Sequence, residues 1–207
     1  MINIIDYEMG NLRSVEKAFE SLGFEARVSA NPNDIKTADK VVLPGVGAFR
    51  DCIHNLRKGG FVEPLLEHVS AGKPLLGICV GMQMLFDESE EFGCHQGLGL
   101  ISGKVVRFPS GMKEGDERLK VPHMGWNNIS LKKRSPLFKG VEDNSFVYFV
   151  HSYYCAAQNQ DEVAASCRYG DVEFSASIWR DNIMATQFHP EKSQSIGLNI
   201  FKNFGEL

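Results

Sequence analysis

Apolar positions recur along the chain in two alternating rhythms. Ile2, Ile4 and Ile5 open a strand predicted to reach Asp6 and Tyr7, after which Leu12, Val15, Phe19 and Leu22 return at helical spacing until Gly23 stops them. Residues 24–29 predict a second strand, and residues 40–43 a third that runs into Pro44-Gly45-Val46-Gly47-Ala48-Phe49. Helices are predicted over residues 49–58 and 61–70, followed by the short apolar run Leu75-Leu76-Gly77-Ile78. Residues 80–86 hold no breaker beyond Gly81 and predict the first turns of another helix. Alternation of this kind builds βαβ units and a mainly parallel sheet covered by helices.

Beyond Glu91 the texture changes. Residues 93–99 are turn-rich, residues 100–108 alternate like strands, and the charged residues 113–120 read as a solvated loop. Residues 146–155 form one strongly β-prone run, further strands are predicted over 162–168, 172–179 and 183–187, and Ile196, Ile200 and Phe204 mark one face of a closing helix from about residue 193. The expected fold class is therefore α/β, a mainly parallel central sheet flanked by helices with additional antiparallel strands. No repeat, linker or low-complexity segment divides the chain, so residues 1–207 are expected to form one domain.

Composition removes several classes of function. With 22 Lys and Arg against 26 Asp and Glu, the net charge of -4 leaves no basic footprint for nucleic acid. No apolar stretch approaches the roughly 20 residues that span a bilayer, and Met1 runs directly into a strand instead of a charged leader; a soluble cytoplasmic protein is expected. The five cysteines are odd in number and scattered, with no pairing at zinc spacing, and the adjacent Cys94 and His95 sit among turn residues. Neither a metal nor a cofactor is expected.

The chemistry gathers at two places. Gly77-x-Cys79-x-Gly81 falls where a strand meets a helix, the cysteine version of a nucleophile elbow, in which glycines permit a turn too tight for side chains. A cysteine at a helix N-terminus is favoured as thiolate, the form that attacks carbonyl carbon. Taken alone, Cys79 also fits a small buried core residue. The second place is Gln187-Phe188-His189-Pro190-Glu191-Lys192, where a strand runs into a stiff turn. His189 suits a base that takes the thiol proton and returns it to a leaving nitrogen, and Glu191 suits the group that fixes its tautomer. Val46 and Gly47, at the end of the third strand, together with Val80, would offer backbone N–H groups to a developing oxyanion. Gln83, four residues after Cys79, falls on the same helix face.

These two motifs resemble the class I (triad) glutamine amidotransferases. Within them, Asp6-Tyr7-x-x-Gly10-Asn11, Pro44-Gly45-Val46-Gly47-Ala48-Phe49, Pro122-His123-Met124-Gly125-Trp126-Asn127 and Tyr148-Phe149-Val150-His151-Ser152-Tyr153 are similar to the glutaminase subunits of imidazole glycerol phosphate synthases, from Asn3 to Phe204. The resemblance implies that Cys79 attacks the side-chain amide of L-glutamine while His189 and Glu191 assist. It further implies that Gln83, Glu91 and the backbone of Gly47, Ser152 and Tyr153 hold the substrate. Ammonia would pass to a (β/α)8-barrel cyclase subunit, paired one to one, that converts the nucleotide PRFAR to imidazole glycerol phosphate and AICAR in histidine biosynthesis. His123, Met124, Trp126, Tyr148 and Lys192 match positions that face the partner or the ammonia exit.

Two departures stand out: Val80 replaces a usual leucine, and residues 166–170 through 193–195 suggest as an alternative a paralogue serving a cyclase-like partner in surface-polysaccharide synthesis. A cysteine peptidase would keep Cys79 and His189 but would need neither Gln83 nor the Trp126 segment. An inactive scaffold would be expected to have a broken triad, and all three members are present.

Overall fold

The computed structural model describes residues 1–207. Its first four strands, β1 (Ile2–Ile5), β2 (Ala26–Ser29), β3 (Lys40–Gly45) and β4 (Leu75–Cys79), lie parallel in the order β2-β1-β3-β4. The strand Ile183–Thr186 pairs parallel with β4, and the antiparallel strands Val172–Arg180, Val163–Tyr169 and Ser130–Leu131 extend the sheet to eight. Strands covered on both faces have no polar side to show. Every residue of β1 and β4 is accordingly buried, while the edge strand β2 exposes Arg27.

The direction of each connection sorts the helices. Helix α1 (Leu12–Ser21) carries the chain from β1 outward to β2, whereas α2 (Asn33–Thr37), α3 (Phe49–Lys58) and α4 (Val62–Ser70) serve the steps back from β2 to β3 and on to β4. Right-handed crossovers then place α1 on one face and α2 to α4 on the other. After the single turn of α5 (Val80–Gln83), the closing helix α6 (Gln194–Gly205) returns to pack on α1, where the rings of Phe19 and Phe201 lie 4.6 Å apart. Phe19, Phe49, Phe201 and Phe204 are fully buried. They anchor one contiguous apolar cluster running from Ile2 to Phe204.

Three expectations change. Helix α5 stops at Gln83 instead of reaching Phe86: the Leu85 N–H donates three residues back to Met82, and Phe86 is already paired with Ile101 in the four-stranded sheet. Phe86–Ser89 thus continues as a strand. Residues 113–120 hold a short exposed hairpin, Lys113–Glu114 against Glu117–Arg118, turning at Gly115 with φ +60°. The β-prone run breaks at Ser152 into strands in different sheets. Phe146–His151 pairs with His123–Asn128 in a two-stranded sheet, and Tyr153–Ala157 joins Ile101–Arg107, Phe86–Ser89 and His95–Gln96 in a four-stranded one.

Where β3 passes α5 the backbones touch: a Cβ on Gly81 would stand 1.8 Å from the Leu43 carbonyl oxygen. The expected loss for Gly81→Ala, measured by urea unfolding, is about 3 kcal/mol or more, and a loss under about 1 kcal/mol would show slack at this crossing.

Candidate active site

Cys79 ends β4 at φ +56° and ψ −113°. A non-glycine residue held there stores on the order of 1–3 kcal/mol of strain and persists only where its surroundings force it. The forcing is local. Gly81 sits in backbone contact with Leu43, and a Cβ on Gly77 would lie 3.1 Å from the Gly81 carbonyl, so strand and helix meet in the sharp corner of a nucleophile elbow. Cys79 lines a cavity of about 290 Å³.

The second motif reaches the same cavity through strand pairing. Ile78 lies opposite Thr186, so His189 follows three residues beyond the point where the two strands are locked together, and it lines the cavity with Cys79. Its Nδ1–H donates to Glu191 Oε1 at 2.7 Å, and its buried Nε2 has no partner within the chain. Asn11 Nδ2 donates to the same carboxylate oxygen at 3.4 Å. The backbone of His189 is also tied: its N–H donates to the Tyr148 carbonyl at 3.0 Å, and Ser193 Oγ donates to its carbonyl at 2.7 Å.

Burial alone would lower the pKa of His189. The Cys79 thiolate and the Glu191 carboxylate outweigh it and raise the value to about 10. With only one turn in α5, the helix dipole expected to favour the thiolate is small, and the imidazolium is the sulfur's charge partner.

The other candidates line the cavity around this pair. Val46, Gly47 and Val80 lie beside Cys79, with Gly47 at φ +92°. Gln83 donates from Nε2 to the Tyr153 carbonyl at 3.0 Å and to Gln187 Oε1 at 3.1 Å, while Gln187 Nε2 lies 3.9 Å from the Cys79 sulfur. Gln187 received no role from the sequence; a fully buried glutamine at the end of an apolar strand was the available signal. Glu91 also reaches the cavity, and its Oε2 accepts the Phe49 N–H at the start of α3 at 2.6 Å. Burial raises its pKa, and that hydrogen bond opposes the rise.

Ser152 and Tyr153 form the opposite wall with His151. Beyond it, the register pairs Met124 with Val150, Trp126 with Tyr148 and Asn128 with Phe146, so these side chains share one face. Met124 is 66%, Trp126 46% and Phe146 60% exposed. Lys192 lines the cavity and holds its Nζ 5.7 Å from the centre of the Tyr148 ring. His123 departs from the expected grouping, since strand alternation turns it inward, where it is buried against His151. Phe146 was missed, because its exposure follows from the pairing and not from its place in an apolar run.

A strained cysteine beside an imidazolium held by a buried carboxylate is equipped to attack carbonyl carbon and to protonate a departing nitrogen. Fold and site together define a cysteine-dependent enzyme of the α/β class acting on an amide. Comparison with known proteins narrows this class. The family model described as glutamine amidotransferase class-I matches residues 3–206. The imidazole glycerol phosphate synthase subunit HisH of Geobacter sulfurreducens is 63% identical over 206 residues, covering 100% of this chain and 98% of that protein. The subunit of the same name from Syntrophotalea carbinolica is 60% identical over 100% of both chains. A solved structure of PurLQS from Thermotoga maritima shares the fold with a TM-score of 0.75 at 18% identity, covering 98% of this chain and 96% of that one. The chain belongs to the class-I glutamine amidotransferases and, within them, to the HisH subunits of imidazole glycerol phosphate synthase. A surface-polysaccharide paralogue is not favoured beside relatives of this identity.

The raised pKa of His189 sets a pH dependence. An unfolded histidine titrates near 6.5, so the bound proton stabilises the fold in full below about pH 6.5 and the contribution fades as the pH climbs toward 10. Glu191→Gln removes one source of the raised value. Urea unfolding is expected to show the stability advantage of the unaltered chain over this variant shrinking between about pH 6 and pH 10, and an advantage that grows with pH would contradict the assignment.

Proposed function

We propose that this chain is the glutaminase subunit of an imidazole glycerol phosphate synthase, its 207 residues acting as one domain in the cytoplasm. The observation that carries the reading is the convergence of Cys79 and His189, 110 positions apart in sequence, on one cavity, with Glu191 holding the imidazole. With the proton already resting on His189, the Cys79 sulfur attacks the side-chain amide carbon of L-glutamine. As the C–N bond breaks, His189 returns the proton to the leaving nitrogen, which departs as ammonia. Water, deprotonated by His189, then cleaves the thioester, releasing glutamate and restoring the thiolate beside a protonated His189.

Backbone N–H groups of Val46, Gly47 and Val80 face the oxyanion of both tetrahedral intermediates. Gln83, Glu91 and the backbone of Ser152 and Tyr153 hold the amino-acid end. Ammonia must then react elsewhere. The proposed partner is a (β/α)8-barrel cyclase subunit, bound one to one on the face of Met124, Trp126 and Tyr148 beside Lys192, which uses the ammonia to convert PRFAR to imidazole glycerol phosphate and AICAR. An apolar face of this kind, rimmed by polar residues and adjoining a cavity, suits a protein partner.

Two measurements test the reading. Cys79→Ala is expected to abolish glutamine-dependent synthesis by the assembled enzyme while added ammonia still supports it; survival of glutamine-dependent turnover would remove Cys79 as nucleophile. Trp126→Asp is expected to weaken association with the cyclase by about 2 kcal/mol or more in calorimetric titration, and unchanged affinity would move the interface elsewhere.

A further inference from the structure

The wall that faces the proposed glutamine site contains a carbonyl with no place in its own sheet. Phe108 N–H donates to the Ser152 carbonyl at 3.1 Å, which makes that opposing pair a bonded one in the antiparallel ladder of Tyr153–Ala157 with Ile101–Arg107. Bonded and non-bonded pairs alternate. Tyr153, opposite Arg107, therefore turns its peptide groups away from the neighbouring strand. Its carbonyl instead accepts two side chains, Gln83 Nε2 at 3.0 Å and His151 Nδ1 at 2.9 Å.

The protonation of His151 is settled by a line of donors behind it. Asn127 Oδ1 accepts the Asn128 N–H at 2.8 Å, so its amide nitrogen faces the Arg168 carbonyl at 3.0 Å and His123 Nε2 at 3.2 Å. An amide nitrogen only donates; His123 Nε2 must accept and His123 must carry its hydrogen on Nδ1. That hydrogen points to His151 Nε2 at 3.1 Å, which leaves the His151 hydrogen on Nδ1, aimed at the Tyr153 carbonyl. Burial lowers His123 to about 4, and burial with the charges of His123 and His189 lowers His151 to about 3, so each ring carries one hydrogen at neutral pH. His123 is also clamped as a flat ring between Tyr169, at 4.1 Å and 27°, and Phe149, at 4.8 Å and 25°. Two apolar side chains would fill this space at a lower desolvation cost. The polar pair is explained by what it holds.

We infer that His123 and His151 form a positioning relay for the substrate wall: His123 keeps the His151 hydrogen on Nδ1, and His151 with Gln83 fixes the Tyr153 carbonyl and hence the Ser152–Tyr153 backbone against which the amino-acid end of glutamine lies. The inference rests on the proposed glutaminase reading of the cavity. His123 sits in the same strand as Met124 and Trp126, so the relay also joins the outward face to the substrate wall.

His123→Phe keeps a flat ring between Tyr169 and Phe149 but removes the hydrogen given to His151. In the full chain assembled with its cyclase, this variant is expected to raise KM for glutamine about three- to tenfold with kcat within about twofold. Alkylation of Cys79 by chloroacetamide, in which the thiolate displaces chloride and no wall contact is needed, is expected to keep its rate. An unchanged KM, or equal slowing of hydrolysis and alkylation, would overturn the relay. If the variant does not fold, the unaltered chain still decides: ¹⁵N-histidine spectra are expected to show hydrogen on Nδ1 of both rings, and a His151 hydrogen on Nε2 would overturn the inference. An unaltered chain that leaves glutamine intact even when assembled with its cyclase would instead sink the reading of the cavity itself, a result visible before any variant is made.

Discussion

The site depends on the register between β4 and the strand Ile183–Thr186. The pairing runs from Leu75 opposite Ile183 to Ile78 opposite Thr186, and β3 adds Gly45 opposite Cys79. Because the three strands are parallel, their C-terminal ends leave the sheet along one edge, the edge at which open α/β sheets hold ligands. A slip of one residue would exchange inward and outward side chains along the strand, taking Gln187 away from Cys79 and moving His189 by a full residue. Packing forbids the slip, since β4 is buried throughout and Gly77 lies beneath the Gly81 backbone. Register is thus fixed by volume, and the chemistry inherits its geometry from that.

Electrostatics then separates one cysteine from its neighbours. Burial pushes the thiol of Cys52 up to about 12 and that of Cys155 well above the usual range, so both remain neutral. The buried His123 and His151 are likewise held neutral. His189 goes the other way, with its charge supported by the Cys79 sulfur and by Glu191. In a low-dielectric pocket a cation and an anion stabilise each other far more than in water. Reactivity is therefore assigned by adjacency to one imidazolium, and a second cysteine in the same core gains none of it.

Much of this was legible in the sequence wherever local chemistry and tertiary packing agreed. The apolar β1, β3 and β4, the helices α1, α3 and α4 and the elbow glycines could be read because period and breakers are local signals. The short α5 could not, since its end is set by the pairing of Phe86–Ser89 with the strand from Ile101, beyond any local window. The break at Ser152 was hidden inside a uniformly β-prone run, because nothing in Phe-Val-Tyr-Phe-Val-His-Ser-Tyr-Tyr-Cys says that its halves join different sheets. His123 was grouped with Met124 and Trp126 because the motif they share matches positions that face the partner or the ammonia exit. A strand reverses its side chains at every residue, so a neighbour in sequence became an opposite in space.

That reversal gives the small sheet of His123–Asn128 and Phe146–His151 its position in the mechanism. One of its faces carries Met124, Trp126, Tyr148 and Phe146 outward, and the other buries His123 and Phe149. Its end, through Val150 and His151, is also part of the cavity that holds Cys79. Ammonia released in water at neutral pH becomes mostly ammonium, which has no lone pair to offer. A route that keeps it uncharged must therefore begin at the cavity and be roofed by apolar surface. The two-stranded sheet is the element that meets both requirements: under the proposed reading, a partner seated on its outer face would adjoin the substrate wall, and Lys192 over Tyr148 stands between the cavity and that face. In the proposed complex, docking and hydrolysis would share this two-stranded sheet.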